Sequence, residues 1–422
     1  MKWKQITLGE ILHVKHGWAF KSDYFSDAGE HIVLTPGNFY EEGGFKSRGD
    51  KDRYYSGDYP HEYLLSKGNV IVAMTEQGEG LLGSAALIPE DNRYLHNQRL
   101  GLVTIKDGVD VNLFFVYKLF NTQIVRQQIS GSASGAKVKH TAPERIYKCK
   151  VHLPPIQIQQ NIVAILSAYD DLIENNLKRI KLLEEMAQIT YEEWFVRLKF
   201  PGHETTPVDS KTGLPEGWEK STLGNCCSLV MGQSPKSEFY NYEKNGLPFH
   251  QGVKDYGFRF PENTCWSTDG SRIAKAKDIL FSVRAPVGRL NIAIEDIILG
   301  RGLSAIRHRN NSQSFLFYQL KQIFFQEDMM GGGAIFASVT KEDMLRIGLI
   351  KPDKRTESEF NQFGAAIDQN IENLHRQNQL LKEARDILLP RLMTGMIDVE
   401  QLDLPESLGE LSSNLTQEPQ AA

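Results

Sequence analysis

The sequence predicts an α+β protein: two tandem α/β globular domains, each followed by a long α-helix, with the two helices packing as an antiparallel coiled coil. Three observations predict it. Residues 155–196 contain no Gly, and no Pro beyond the first residue, and carry an apolar stripe at helical spacing. A second stretch of the same kind runs over about 357–393. The segments preceding these two stretches repeat one another, which makes the chain a pseudo-two-fold duplication.

In the first stretch, apolar or aromatic side chains recur at Ile158, Ile162, Ile165, Tyr169, Leu172 or Ile173, Ile180, Leu183, Ala187 and Trp194. Most steps are three or four, the spacing that keeps one stripe on one side of a helix. About 40 residues at 1.5 Å each make a rod of roughly 60 Å. In the second stretch Phe360, Phe363, Ile367, Ile371, Leu374, Leu381 and Leu388 form the matching stripe. Asn378 falls on it, and Asn176 lies close to the stripe of the first. A polar residue in such a seam fixes register at some loss of stability. The alternative is that both asparagines face solvent at its edge.

The duplication is read residue by residue. Trp3, Thr7, Leu8 and Gly9 return as Trp218, Thr222, Leu223 and Gly224, 215 positions later, and Gly17 matches Gly232 at that offset. NVIVA at 69–73 resembles DILFS at 278–282. QRL at 98–100 sits where GRG sits at 300–302, which makes Arg99 and Arg301 equivalent. FFVYKL at 114–119 matches FLFYQL at 315–320, offset 201, and IEN at 173–175 matches IEN at 371–373, offset 198. The order is kept while the offset shrinks, as in a tandem duplication whose second copy has lost loop residues. Two copies related by a pseudo-two-fold axis have antiparallel helices, with the globular domains at opposite ends of the rod.

The expected organisation follows: a globular domain over 1–154, a long helix over 155–199, a linker over 200–217, a second globular domain over 218–354, a second long helix over 355–396, and a disordered tail over 397–422. The linker is rich in Pro, Gly, Thr and Asp, the composition of a connection. Within the globular copies, 70–74, 85–88 and 100–105, and 278–282, 290–294 and 303–306, are rich in aliphatic and β-branched residues and read as strands. Residues 112–129 and 314–329 read as helices, ending at the small-residue loops 131–135 and 331–333. Sheet order does not follow from these patterns.

The chain of 422 residues, 41% hydrophobic and 24% charged, is long enough for a core in each domain. No apolar run approaches 18 residues, which argues against a membrane span. The opening MKWKQITLGE lacks the apolar core of a signal peptide. Cys149, Cys226, Cys227 and Cys265 show no CxxC spacing and read as reduced thiols of a cytoplasmic protein. A net charge of −5 argues mildly against a nucleic-acid partner, but binding depends on local patches and the long helices carry many of the acids.

Signatures of catalysis are missing, and no catalytic or metal-ligating residue is assigned. There is no GxxxxGK[ST] loop. Gly78 and Gly80 make a lone GxG outside a nucleotide-fold context. Leu153, Pro154 and Pro155 lack the polar residue that precedes the paired prolines of an amino-methyltransferase motif, and instead suit the start of a helix. His96 and Asn97 are half a nuclease motif without a second histidine at suitable spacing. Pro352 and Asp353 read as a turn before the second helix. The eleven histidines form no ligand cluster.

Basic and amide side chains gather instead where loops are expected. In the first copy these are Lys46, Arg48, Lys51 and Arg53, then Asn97 and Arg99, then Lys137 and Lys139. In the second they are Gln233, Ser234 and Lys236, then Gln251 and Lys254, then Arg284, Arg301 and Lys341. Lys and Arg contact phosphates, and Arg, Asn and Gln read base edges. Any one cluster alone is more often a solvated loop.

Together these features resemble the DNA-specificity subunit of type I restriction–modification systems, over nearly the whole chain. The resemblance is carried by GLPEGW at 213–218, GQSPKS at 232–237 with Tyr240 and Asn241, VRAPVG at 283–288, GRG at 300–302, LPP at 153–155 leading into the first helix, and LLPRLMTG at 388–395 closing the second. The first copy has Gly17, Trp18, Ala19 and Phe20 in place of GQSP, so base-reading positions do not transfer to it. The resemblance implies that each globular domain is a target-recognition domain reading one half of a bipartite, asymmetric site in double-stranded DNA. It implies that the paired helices set the spacer and dock two methyltransferase (modification) subunits, which restriction/translocase subunits join. S-adenosylmethionine, ATP and Mg²⁺ then belong to those partners, and this chain binds no cofactor. An orphan or silent specificity subunit, a coiled-coil scaffold for other proteins, and a fused methyltransferase or nuclease are the alternatives.

Overall fold

The computed structural model describes residues 3–402 except 77, 79, 136–137 and 330–337. The chain folds as two compact units: residues 1–174 with the chain from 379 onward, and residues 175–378. Each unit therefore takes one globular body and a part of both long helices. Among the described residues no helix is long and apolar enough to cross a membrane.

In the first unit, Lys4–Thr7 pairs antiparallel with Lys150–Leu153. A four-stranded antiparallel sheet has the order Leu12–His16, Leu100–Ile105, Val70–Ala73, Ala85–Leu87. Val70–Ala73 is buried along its whole length, which explains its unbroken aliphatic run: both faces are covered. Leu12–His16 alternates buried Leu12 and Val14 with exposed His13 and half-buried Lys15, as an edge strand with one wet face does. A five-stranded sheet has the order Phe25–Ser26, Tyr54–Tyr55, His31–Val33, Tyr94–Leu95, Leu64–Leu65, with His31–Val33 and Tyr94–Leu95 parallel.

The second unit repeats this strand for strand. Glu219–Thr222 pairs with Gly348–Lys351. The four-stranded sheet runs Cys227–Met231, Leu303–His308, Ile279–Ser282, Leu290–Ile292. The five-stranded sheet runs Tyr240–Asn241, Trp266–Ser267, Leu247–His250, Ile297–Leu299, Ile273–Ala274, again with one parallel pair, Leu247–His250 on Ile297–Leu299. The duplication legible in scattered residues is thus complete in topology.

The helix expected over 112–129 is two, Leu113–Phe120 and Gln123–Gly131. The break has a local cause. Thr122 Oγ1 donates to Leu119 O (2.7 Å) and accepts from Val125 N–H (3.5 Å), closing one helix and capping the next. The counterpart Gln313–Met329 is continuous. The expected small-residue loop 331–333 lies outside the described residues.

The long helices are Ile156–Tyr191, which ends in a π-helical turn at Glu192–Val196, and Lys354–Met393. Asp353, expected in a turn, caps the second: its carboxylate accepts from Arg355 N–H (2.9 Å), Thr356 N–H (3.1 Å), Thr356 Oγ1 (2.6 Å) and Trp218 Nε1 (3.2 Å). Burial works against the charge, but these donors hold the carboxyl below its usual range.

In the second unit Ile180, Ala187 and Tyr191 share a core with Phe360, Ile367, Ile371 and Leu374. Asn176 bonds Asn378 while Tyr191 meets Phe360 edge to face at 5.6 Å. One number rises as the other falls, so the helices are antiparallel there. In the first unit Ile158, Ile162, Val163 and Leu166 share a core with Leu392 and Met393, and Arg385 Nη1 donates to Asp170 (2.9 Å), the same sense. Ile173 is buried and Leu172 exposed, which settles the stripe. Asn176 and Asn378 do not face solvent: both are buried, and Asn176 Nδ2 donates to Asn378 Oδ1 at 2.9 Å.

The connection between copies is packed. Phe200 packs against Trp218 with tilted rings whose centroids are 4.9 Å apart, and Leu214 is buried beside them. Of the expected tail, Val399 is buried in the first unit's core, and residues 403–422 lie outside the described residues.

Candidate nucleic-acid interface

In the second unit three loops meet where strands end. They follow Cys227–Met231, follow Leu247–His250, and join Ile297–Leu299 to Leu303–His308. Gly232 N–H donates to Leu303 O (2.9 Å), Gln233 N–H to Leu299 O (2.9 Å), Gly300 N–H to His250 O (2.8 Å) and Gly302 N–H to Gln251 O (3.1 Å). The backbones approach so closely that only Gly fits. A Cβ on Gly232 would lie 2.1 Å from Gly300 O, and one on Gly300 2.6 Å from Gln251 Cα.

On this frame Ser234 Oγ donates to Gln251 Oε1 (2.9 Å) and accepts from Arg301 N–H (3.3 Å). Gln233, Gln251 and the Arg301 side chain are exposed around it. Four of the expected residues are therefore gathered into one cluster. Lys236 and Lys254 are exposed on the same loops, Lys236 at 3.8 Å from Glu238. Arg284 follows Val283, whose N–H donates to Gly302 O (2.9 Å) and whose carbonyl accepts from Val339 N–H (2.9 Å). Lys341 opens the short helix Lys341–Leu345, two residues beyond Val339. Both are exposed.

The first unit uses the same frame. Gly17 N–H donates to Leu100 O (3.3 Å), Trp18 N–H to His96 O (2.8 Å), Met74 N–H to Arg99 O (2.9 Å) and Thr141 N–H to Met74 O (2.9 Å). A Cβ on Gly17 would lie 2.1 Å from Asn97 O. Asn97 Oδ1 accepts from Arg99 N–H (3.0 Å), Arg99 is exposed, and Lys139 is exposed with its carbonyl accepting from Glu76 N–H. Lys137 lies outside the described residues. Lys46, Lys51 and Arg53 are exposed on a neighbouring segment, and Lys46 Nζ stands 5.5 Å above the Tyr40 ring. Arg48 is half-buried and donates to Thr35 Oγ1 (3.3 Å). Val33 pairs with Leu95 as Phe249 pairs with Ile298, so Thr35 takes the place of Gln251.

The strand register corrects one equivalence. Gly101 faces His16 and Ser304 faces Met231, so Leu100 corresponds to Leu303, Arg99 to Gly302 and Gln98 to Arg301. Arg99 and Arg301 are not equivalent but one residue apart. A shared arginine in a short loop misaligned the copies, whereas backbone hydrogen bonds between distant strands set their true register.

Two buried groups support the loops. His96 is fully buried and its Nε2–H faces Leu100 O at 2.9 Å, while Nδ1 has no partner among the described residues. Burial pushes its pKa down to about 4, so at neutral pH it is an uncharged prop of the loop. Arg259 lies a few residues beyond Lys254, buried. Its Nη1 donates to Glu184 (2.7 Å) on the first long helix and its Nη2 to Asp368 on the second, and its guanidinium is 3.7 Å from the Phe317 ring centroid. Burial disfavours that charge, but Asp368 and Glu184 outweigh it and hold the guanidinium protonated. Asp170, which corresponds to Asp368 at offset 198, anchors the first unit instead by ion pairs to Lys118 and Arg385.

Sequence reasoning singled out neither Trp18 nor Thr35 as a reading group, and it grouped Gln98 and Arg259 with the exposed loop clusters, although Arg259 is buried. The Gly17–Gly232 match already pointed to Trp18. The burial of Arg259 left no signal, because its carboxylate partners are more than seventy residues away in the chain. Among the described residues no group of three His, Cys, Asp or Glu is placed to hold a metal.

The chain is similar to known proteins. Residues 1–185 and 215–383 match the family model described as the type I restriction modification DNA specificity domain. Two proteins of Methanocaldococcus jannaschii are similar. One, named for the specificity subunit of the type I restriction enzyme MjaX, is 33% identical over 255 residues, covering 60% of this chain and 60% of its own length. The other, the type I restriction enzyme MjaIX specificity subunit, is 25% identical over 320 residues, covering 72% of this chain and 73% of its own length. The crystal structure of a type I restriction–modification system S subunit from M. genitalium has a similar fold, with a TM-score of 0.58 at 15% identity over 93% of this chain and 96% of that one. The chain belongs to the type I restriction–modification DNA specificity family, as a specificity component and not a catalytic one.

Proposed function

We propose that the chain binds a bipartite, asymmetric sequence in double-stranded DNA and scaffolds the catalytic subunits of a type I restriction–modification complex. Residues 1–154 and 218–354 act as target-recognition domains, each reading one half-site. Gln233, Ser234, Gln251 and Arg301, and in the other copy Asn97 and Arg99, face base edges. Lys46, Arg48, Lys51, Arg53, Lys137, Lys139, Lys236, Lys254, Arg284 and Lys341 neutralise phosphates. The helix pair sets the spacer and docks two methyltransferase subunits, which restriction/translocase subunits join. Those partners hold S-adenosylmethionine, ATP and Mg²⁺.

The observation that carries this reading is the loop frame repeated around Gly17 and Gly232, with Gly17 N–H on Leu100 O matching Gly232 N–H on Leu303 O and Trp18 N–H on His96 O matching Gln233 N–H on Leu299 O, bearing different side chains in each copy. One scaffold used twice with unlike reading groups is what an asymmetric split site requires. Methylome sequencing of a host expressing the chain with its methyltransferase partner is expected to reveal one motif of two unlike halves with a fixed gap. Methylation without such a motif would refute the proposal.

A further inference from the structure

We infer that Trp18 reads one base pair of the first half-site, by apolar contact with a thymine methyl group, from the position that Gln233 holds in the second copy. The inference rests on the DNA-reading function proposed above. The two positions are presented alike. Gly17 and Gly232 approach the facing loop equally closely, each with a Cβ position 2.1 Å from a carbonyl oxygen. The next residue's N–H is bonded across to the same loop in both copies, Trp18 to His96 O at 2.8 Å and Gln233 to Leu299 O at 2.9 Å. Trp18 O also accepts from Gln98 N–H (2.9 Å), which pins the residue from both sides.

The side chain itself is not a core residue. Trp18 is 41% exposed and belongs to none of the hydrophobic clusters of its unit. Its ring rests on Tyr63, with centroids 5.4 Å apart. Lys15 Nζ lies 4.6 Å over Tyr63 and is held by Glu62 at 2.7 Å. The indole is thus in tilted contact with the Tyr63 ring and still largely exposed, beside exposed Gln98 and Arg99. Arg99 supplies the charge that brings a DNA strand to this rim.

The chemistry at the shared position has changed. A glutamine amide has both a donor and an acceptor and can pair bidentately with adenine. An indole has one donor and no acceptor, so it cannot make that pair. The apolar feature that base pairs offer in the major groove is the C5-methyl of thymine. The two half-sites are therefore read at this place by different means, methyl contact in the first and hydrogen bonding in the second.

The test uses the full chain purified with its methyltransferase subunits, selected against random-sequence duplex DNA as wild type, Trp18→Ala and Trp18→Phe. Trp18→Ala is expected to lose about fourfold of its preference at one thymine of the first half-site, the worth of one buried methyl group, with the second half-site unchanged as the folding control. Trp18→Phe keeps the preference. Uracil in place of that thymine weakens binding by the wild type but not by Trp18→Ala. Unaltered preference throughout the first half-site in Trp18→Ala, or indifference of the wild type to uracil, overturns the inference. A wild-type complex that selects no bipartite site overturns the DNA-reading function itself, and this inference with it.

Discussion

His96 shows how the loop frame depends on protonation. Its folded pKa is near 4 because burial disfavours the cation, whereas the unfolded chain titrates near 6.5. Between those values the unfolded state binds a proton that the native state does not, so stability rises with pH. The contribution is fully present above about pH 6.5 and is lost as pH falls toward 4. From pH 7 to 4.5 this amounts to about 2 to 3 kcal/mol. Urea unfolding of His96→Gln is expected to show a loss smaller by that amount than the wild type over the same interval, and equal losses would mean that His96 does not carry the effect. At this scale the sequence was partly legible. The repeated glycines marked the loops, and the basic clusters marked their rims. Burial of His96, and of Arg259 between Glu184 and Asp368, came from segments that touch only after folding.

The seam of the long helices in the second unit holds a buried polar pair, Asn176 and Asn378, at 2.9 Å. At the duplication offset of 198 their counterparts are Leu374 and Ile180, both buried and apolar. The polar pair therefore breaks the duplicate pattern and marks one register along the seam. Asn378→Leu is expected to cost about 1 to 3 kcal/mol, because it strands a buried amide donor of Asn176. Asn176→Leu with Asn378→Leu together should be close to neutral. Denaturant unfolding of the single and double variants measures the coupling, and additive losses would show that the bond does not define the seam. The helices themselves were legible because a 3.6-residue period is a local property. Capping of the second by Asp353 with Trp218 was not, since those partners are far apart in the chain. The helix expected over 112–129 was split by Thr122, a polar side chain that supplies its own cap within an otherwise helical pattern.

For the whole molecule, both helices cross from one compact unit to the other, at 174–175 and 378–379. If the pair sets the spacer, as proposed, a heptad inserted into both helices adds about 10 Å of helix. That length corresponds to about three base pairs of B-DNA. The methylome of such a variant is expected to keep both half-sites and lengthen the gap by about that amount. An unchanged gap with normal methylation would remove the ruler from the proposal.

The sequence by itself determined that this chain is a duplicate, that each copy ends in a long amphipathic helix, and that the signatures of nucleotide and metal chemistry are missing from it. Each of these is a local or periodic property that survives without knowledge of contacts. Tertiary structure decided the order of the strands and the residue-by-residue match of the two reading loops, with Gln98 and not Arg99 opposite Arg301. It also decided that each compact unit draws on both helices. The reason is the same in each case: strand register and helix pairing are set by hydrogen bonds and buried contacts between segments separated in the chain, by 85 residues for Gly101 and His16 and by 202 for Asn176 and Asn378, and such pairings leave little trace in either segment alone.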